Sequence, residues 1–192
     1  MRNTLRLSTI LFAVLAVSFS FAGAADAAIG YNGIEAKAGL ANGENSIGTA
    51  LLLGATVDLG EIAPGIGLEG SVDFWTKGYD IGGFGGSSEW RFTNIAFIGG
   101  ARYNFPGSGL APFAFGGLGL HIARASGEFS YFDPMSGQTV TNDSSNTDME
   151  FGMQFGAGAE FGVTPLLKAV ARVGYNINGG ADYFFLTGGI RF

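Results

Sequence analysis

Between Met149 and Phe161 every second residue is apolar. Met149, Phe151, Met153, Phe155, Ala157, Ala159 and Phe161 alternate with Glu150, Gly152, Gln154, Gly156, Gly158 and Glu160. That is the two-residue period of a β-strand with unlike faces. The rhythm recurs along the chain. Ile34 to Leu40 sets Ile34, Ala36, Ala38 and Leu40 against Glu35 and Lys37, and Ile47 to Leu59 sets Leu51, Leu53, Ala55, Val57 and Leu59 against Gly48, Gly54, Thr56 and Asp58. Ile66 to Lys77 sets Ile66, Leu68, Val72 and Phe74 against Glu69, Ser71, Asp73 and Lys77, and Glu89 to Tyr103 ends with Ile95, Phe97, Ala101 and Tyr103 against Asn94 and Arg102. Leu166 to Ile177 and Tyr183 to Phe192 complete the set, with Lys168, Arg172 and Asn176 on the polar face of the first and Thr187 and Arg191 on that of the second. Ala111 to Ala125 is mixed: Phe113 and Phe115 lie on one parity, Leu118, Leu120 and Ile122 on the other. A bulge near Gly116-Gly117 is the expected reconciliation.

Eight segments of about ten residues each have the length a tilted strand needs to cross a bilayer. The connections alternate in kind. Those holding Pro64, Pro106 and Pro165 are short, whereas "GYDIGGFGGSS" and "SGEFSYFDPMSGQTVTNDSSNT" are long and polar. Short turns on one side and long loops on the other fit an outer-membrane barrel with its turns in the periplasm. The expected fold is all-β: a closed eight-stranded antiparallel up-and-down transmembrane β-barrel.

Charge placement separates this from a soluble sandwich. The strand acids are Glu35, Asp58, Glu69, Asp73, Glu150 and Glu160, and the strand bases are Lys37, Lys77, Arg102, Lys168, Arg172 and Arg191. Nothing requires outward charges on a soluble protein to cancel, but charges confined in a narrow bore must pair. Eight strands leave a bore only wide enough for side chains, and Gly152, Gly156, Gly158 and Gly174 would make room in it. The candidate interior ion-pair network is Glu35, Lys37, Glu69, Asp73, Lys77, Arg102, Glu150, Glu160, Lys168, Arg172 and Arg191. Tyr31, Trp75, Trp90, Tyr103, Tyr175 and Tyr183 lie toward segment ends, as an interfacial aromatic girdle would.

The start of the chain reads as a leader. Arg2 and Arg6 precede the apolar run Leu7 to Phe21, and A-x-A patterns end at Ala24 and Ala27. A secretory signal over 1–27 is expected, cleaved after Ala24 or Ala27, with the barrel domain over 28–192. A retained anchor helix is the alternative, for which the run is short. Cleavage after Ala27 leaves 8 bases and 15 acids, a net charge of −7. Nucleic acid, which wants a basic stripe, is therefore an unexpected partner. With no Cys and one His, a disulfide framework and a tight transition-metal site are not expected either.

The ending "YFFLTGGIRF" carries a final aromatic, Phe192, preceded by Ile190, Leu186 and Phe184 at alternating positions. It resembles the C-terminal assembly signature of bacterial outer-membrane proteins. With the leader and the eight segments, the whole mature chain resembles the small eight-stranded outer-membrane barrels, the OmpA/OmpX-like β-barrel domain family. The resemblance implies insertion by the barrel-assembly machinery, with Phe184, Leu186, Ile190 and Phe192 as the signal. It also implies residence in the bacterial outer membrane after export through the periplasm, beside outer-membrane lipid and lipopolysaccharide, as a monomer without cofactors. Full OmpA-type proteins add a periplasmic peptidoglycan-binding domain; this chain stops at the barrel, and no tethering role is expected.

Other motifs have plainer readings. "GIGLEG", Gly65 to Gly70, matches a dinucleotide fingerprint but follows a proline turn and opens a strand. His121 has Ser126 and Glu128 near it only in sequence, without a lipase-type nucleophile motif. An interior or rim histidine held by hydrogen bonds is expected, and not an enzyme. "NDSSNTDME" reads as a solvated loop with at most weak divalent binding. The expected function is that of a structural outer-membrane barrel presenting surface loops. The alternatives are an adhesin or ligand-binding protein acting through 78–88 and 126–147, with Phe84, Phe129, Tyr131 and Phe132 as contacts, or a narrow low-conductance pore.

Overall fold

The computed structural model describes residues 30–44, 48–83, 86–106, 109–133, 135, 138–180 and 182–192. The expected leader and Phe84 lie outside the described residues, as do the side chains of Tyr131 and Phe132. The strands are β1 (Gly33–Gly43), β2 (Gly48–Ala63), β3 (Ile66–Gly83), β4 (Gly86–Asn104), β5 (Leu110–Asp133), β6 (Gln138–Gly162), β7 (Lys168–Ile177) and β8 (Tyr183–Arg191). Each pairs antiparallel with its neighbour, and β8 returns to β1, so the sheet closes into a barrel. Closure is completed beyond β8, where the Phe192 and Ile34 backbones exchange hydrogen bonds at 2.9 and 3.0 Å. No edge is left in the closed part, which is what hydrocarbon demands of a sheet.

The parity of each strand sends its polar residues inward. Outside stand Leu51, Leu53, Phe74, Phe97, Leu118, Phe151, Phe155, Leu186 and Ile190, all substantially exposed. Inside, Glu35, Asp73, Asn94, His121, Arg172 and Asn176 are buried. Core and surface are exchanged relative to a soluble protein. Among the described residues no helix is long and apolar enough to cross a membrane.

Three expectations need correction. The ladder on both sides of β5 runs without a break, from Asn104↔Phe113 to Gly86↔Tyr131 and from Leu110↔Phe161 to Asp133↔Gln138, so there is no bulge at Gly116-Gly117. Phe113 and Phe115 share the inward parity with His121 because aromatic rings, and not only charges, fill the bore. The irregularity lies instead in β2 after Asp58.

The second correction concerns length. Of the segments expected as loops, 78–88 and 126–147, residues 78–83, 86–88, 126–133 and 138–147 are strand continuations. β5 and β6 have 24 and 25 residues, against ~9–11 needed to cross a bilayer. Pairing of β2 with β3 begins at Leu52↔Trp75 and that of β6 with β7 at Met153↔Ile177, so β3 to β6 stand above their neighbours as a four-stranded sheet. Within it "NDSSNTDME" is strand, and its acids diverge: Asp143 shares the outward parity of Met149, while Asp148 and Glu150 share the inward parity of Gln154.

The third correction is to the girdle. Trp75 and Tyr183 are fully buried in the bore. Trp90 lies on the inward parity of β4, where its ring covers Gly127. Only Tyr31, Tyr103 and Tyr175 remain on the outside.

The four glycines of the polar face are packing features. A Cβ on Gly152, Gly156, Gly158 or Gly174 would meet the rings of His121, Phe115, Phe113 and Phe185 at 2.8, 2.6, 2.3 and 2.6 Å respectively. By contrast, Gly70 on the outer face has nothing within 4 Å of such a carbon. Gly158→Leu is therefore expected to destabilise the refolded barrel by about 1–3 kcal/mol or to block refolding, the cost of overpacking. Gly70→Ala should stay within about 0.5 kcal/mol of the parent. Urea titrations in detergent micelles, followed by heat modifiability on a gel, check both.

Candidate functional site

The bore is the most specifically built part of the molecule. At the end where β8 runs out to Phe192, Glu160 receives three cations: Lys168 Nζ at 2.8 Å, Arg191 Nη1 at 2.9 Å and Arg102 Nη1 at 3.1 Å. Asp58 adds ion pairs to Arg191 at 3.3 Å and Arg102 at 3.6 Å, and accepts the Gly60 backbone N–H at 2.9 Å. Further in, the Arg172 guanidinium bridges two carboxylates, Glu35 at 2.9 Å and Glu69 at 2.8 Å, with bidentate geometry to each. The Lys37–Asp73 pair follows at 2.8 Å. Five cations meet five carboxylates in these contacts. The Glu160–Asp58 cluster has one excess positive charge and the Arg172 cluster one excess negative charge, so the two offset each other.

Aromatic rings make up the rest of the filling. The Phe113 ring has a guanidinium 5.0 Å from its centre on behalf of both Arg102 and Arg172, and Phe115 takes a further contact from Arg172 at 5.2 Å. From there a chain of neighbouring rings runs to the far end. Phe115–Phe185 centroids are 6.2 Å apart, Phe185–Tyr183 6.3 Å, Tyr183–Trp75 5.5 Å and Trp75–Phe92 5.4 Å. Cation–π contacts of this kind gain strength where water is excluded. The packing joins the ionic half of the bore to the apolar half.

Of the residues expected in the network, Glu35, Lys37, Glu69, Asp73, Arg102, Glu160, Lys168, Arg172 and Arg191 come together in these ion pairs. Two do not. Lys77 donates to the Thr49 carbonyl at 3.0 Å and lies 5.9 Å from the Tyr79 ring centre at the rim. Glu150 sits opposite His121 in the ladder and has no salt bridge among the described residues. His121 is fully buried, yet its ring nitrogens have no hydrogen-bond partner among the described residues. Ring packing against Tyr183 at 6.5 Å and the bare surface of Gly152 hold it instead of the expected hydrogen bonds. Ser126 and Glu128 lie on the opposite face of β5, so no triad forms around it. Among the described residues no group of three or more His, Cys, Asp or Glu could hold a metal ion.

Sequence reasoning missed the aromatic half of the filling: Phe113, Phe115, Phe185, Trp75 and Tyr183. The available signal was parity, because each shares its strand's inward register with a charged or amide residue, as Trp75 does with Asp73 and Tyr183 with Arg191. The final-strand residues Phe184, Leu186, Ile190 and Phe192 all point outward, 44–59 % exposed.

A closed up-and-down barrel with an apolar exterior and an ion-paired interior is the architecture of a membrane-spanning β-barrel. The family model for the outer membrane protein beta-barrel domain matches residues 11–189, and the chain belongs to that family. Solved structures align with the chain. A major outer membrane protein from Thermus thermophilus aligns with a TM-score of 0.54 at 15% identity, over 83% of this chain and 98% of that one. Neisserial surface protein A aligns at 0.49 and 18% identity, over 83% and 94%. Ail, the attachment invasion locus protein of Yersinia pestis, aligns at 0.47 and 15% identity, over 83% and 99%, in its complex with the heparin analogue sucrose octasulfate. No curated protein sequence matches this chain.

Arg172 is the residue on which the bore depends most. Arg172→Met leaves Glu35 and Glu69 buried without their cation, and a loss of about 3–5 kcal/mol is expected in denaturant unfolding. Adding Glu35→Gln and Glu69→Gln to that variant should recover part of the loss, because the uncompensated charges go with the cation.

Proposed function

We propose that the protein is a non-conducting structural barrel of the bacterial outer membrane that holds a projecting β-sheet outside the cell. The observation that carries this reading is the filled bore. Ion pairs fill the end at which β8 runs out to Phe192, and the Trp75, Tyr183 and Phe185 rings fill the bore beyond them, which supports a barrel closed to ions. Export by a leader cut near Ala24 or Ala27 and insertion by the assembly machinery through the final strand belong to the same reading. The outward row Phe184, Leu186, Ile190 and Phe192 on the strand that closes the barrel supports the second step.

The narrow-pore alternative is tested by planar-bilayer recording. The parent protein should give no discrete steps, whereas Trp75→Ala combined with Tyr183→Ala should open small, brief ones. Steps from the parent comparable to those of the double variant would overturn the reading.

Binding through the projecting sheet is favoured by a separate observation. Among the described residues, 138–152 of β6 pair with β5 alone, an edge rich in Ser, Thr and Asn. It lacks the lysines, prolines and bulges that usually discourage pairing, and an extended segment of a partner could add to it as a strand. Joining Arg124 to Thr147, which face each other in the ladder, through a tight turn removes the outer hairpin and keeps the register. The shortened protein should remain heat-modifiable and lose cell or ligand binding. Full retention of binding would rule this edge out as the contact.

A further inference from the structure

The outer face of β4, β5 and β6 changes character row by row as it leaves the apolar band. Ile95, Ile122 and Met149 form one row of the ladder. The next is Thr93, Arg124 and Thr147, and above it come Arg91, Ser126 and Ser145. The row beyond is Glu89, Glu128 and Asp143. Hydrocarbon-facing side chains thus give way to two rows of cations and hydroxyls, capped by three carboxylates. Arg91, Arg124, Ser126, Ser145 and the three carboxylates line an open pocket of about 460 Å³.

Placement of the bases makes the pattern specific. Of the eight bases that follow the leader, Lys37, Lys77, Arg102, Lys168, Arg172 and Arg191 lie on inward parities. Arg91 and Arg124 alone lie on outward ones, on neighbouring strands in consecutive rows. Arg91 shares its charge with Glu89 at 3.0 Å, an exposed pair of little intrinsic value. Arg124 is exposed and has no salt bridge among the described residues.

We propose that this patch binds the phosphate of an outer-leaflet lipid whose acyl chains lie along Ile95, Ile122, Met149 and the apolar side chains below them. The proposal rests on the outer-membrane reading. Guanidinium groups bind phosphate through paired, charge-assisted hydrogen bonds. The hydroxyls of Ser145 and Thr147 stand beside them as further donors, while Ser126 Oγ donates to the Arg91 carbonyl at 3.5 Å and Thr93 Oγ1 is paired with Thr76 Oγ1 at 3.1 Å. The carboxylate row repels phosphate and so fixes its depth at the arginines. An amphiphile satisfies the whole sequence of rows, whereas a soluble anion would leave the apolar row unused.

The test is a native mass-spectrometric titration of the refolded barrel in micelles with phosphatidic acid and, separately, with diacylglycerol of the same chains. Each protein is first checked for heat modifiability. The parent should hold phosphatidic acid about tenfold or more tightly than diacylglycerol. Arg91→Gln with Arg124→Gln should hold the two alike. Glu89→Gln, which releases Arg91 from its pair, should tighten phosphatidic acid; an unchanged or weaker affinity there counts against the site. A parent without preference, a double variant that keeps it, or release of the lipid by excess inorganic phosphate overturns the proposal. A parent that is not heat-modifiable overturns the outer-membrane reading and the site with it, whereas a heat-modifiable parent without preference overturns the site alone.

Discussion

Everything in this molecule follows from the fixed bore of an eight-stranded closed sheet. Hydrocarbon forbids an open edge, so the strands must close, and closure at this strand number sets a width that side chains alone can fill. Each strand then delivers every second residue to that volume whatever its chemistry. The residues delivered must neutralise one another and also fit. Arg172 between Glu35 and Glu69 shows the first demand, and Phe113 over Gly158 shows the second. The two meet where the guanidiniums of Arg102 and Arg172 each approach the ring of Phe113, so charge and volume are satisfied by the same contact.

Much of this was legible in the sequence because the two-residue period is enforced by two incompatible solvents. A slip of one residue in β6 would send Glu150, Gln154 and Glu160 into lipid, so alternation there reports register directly. The inward position of Arg172, Glu35 and Glu160 could be read on that basis. What could not be read was which apolar residues had been recruited to the bore. Phe113 and Phe115 are as greasy as Phe151 and Phe155, and hydropathy alone does not distinguish a ring packed over glycine from a ring in lipid. Only the unbroken ladder of β5 resolves it. Strand length was also hidden. Outside the bilayer neither face has to be apolar, so the alternation fades in Ser126 to Thr147 although the hydrogen-bond ladder continues.

The molecule therefore has two regimes along a single sheet. In the membrane, packing is tightly determined and an added Cβ on the glycines under the rings collides with its neighbour. Above it, β3 to β6 continue with little filling behind them, and their side chains answer to water and to whatever approaches. Arg91 and Arg124 lie where one regime passes into the other. A filled bore anchors the sheet, and the projecting part is free to vary without disturbing what holds it in place.

The basic residues that the bore claims leave the outer hairpin without any. No Lys or Arg occurs between Arg124 and Lys168. Past the bond after Arg124, a trypsin-type protease would find no cleavage point before Lys168, although nearly every side chain from 138 to 149 is exposed. Exposure here comes without susceptibility to the commonest class of digestive cleavage, and enzymes that cut beside aromatic or acidic residues would be needed to shave the hairpin away.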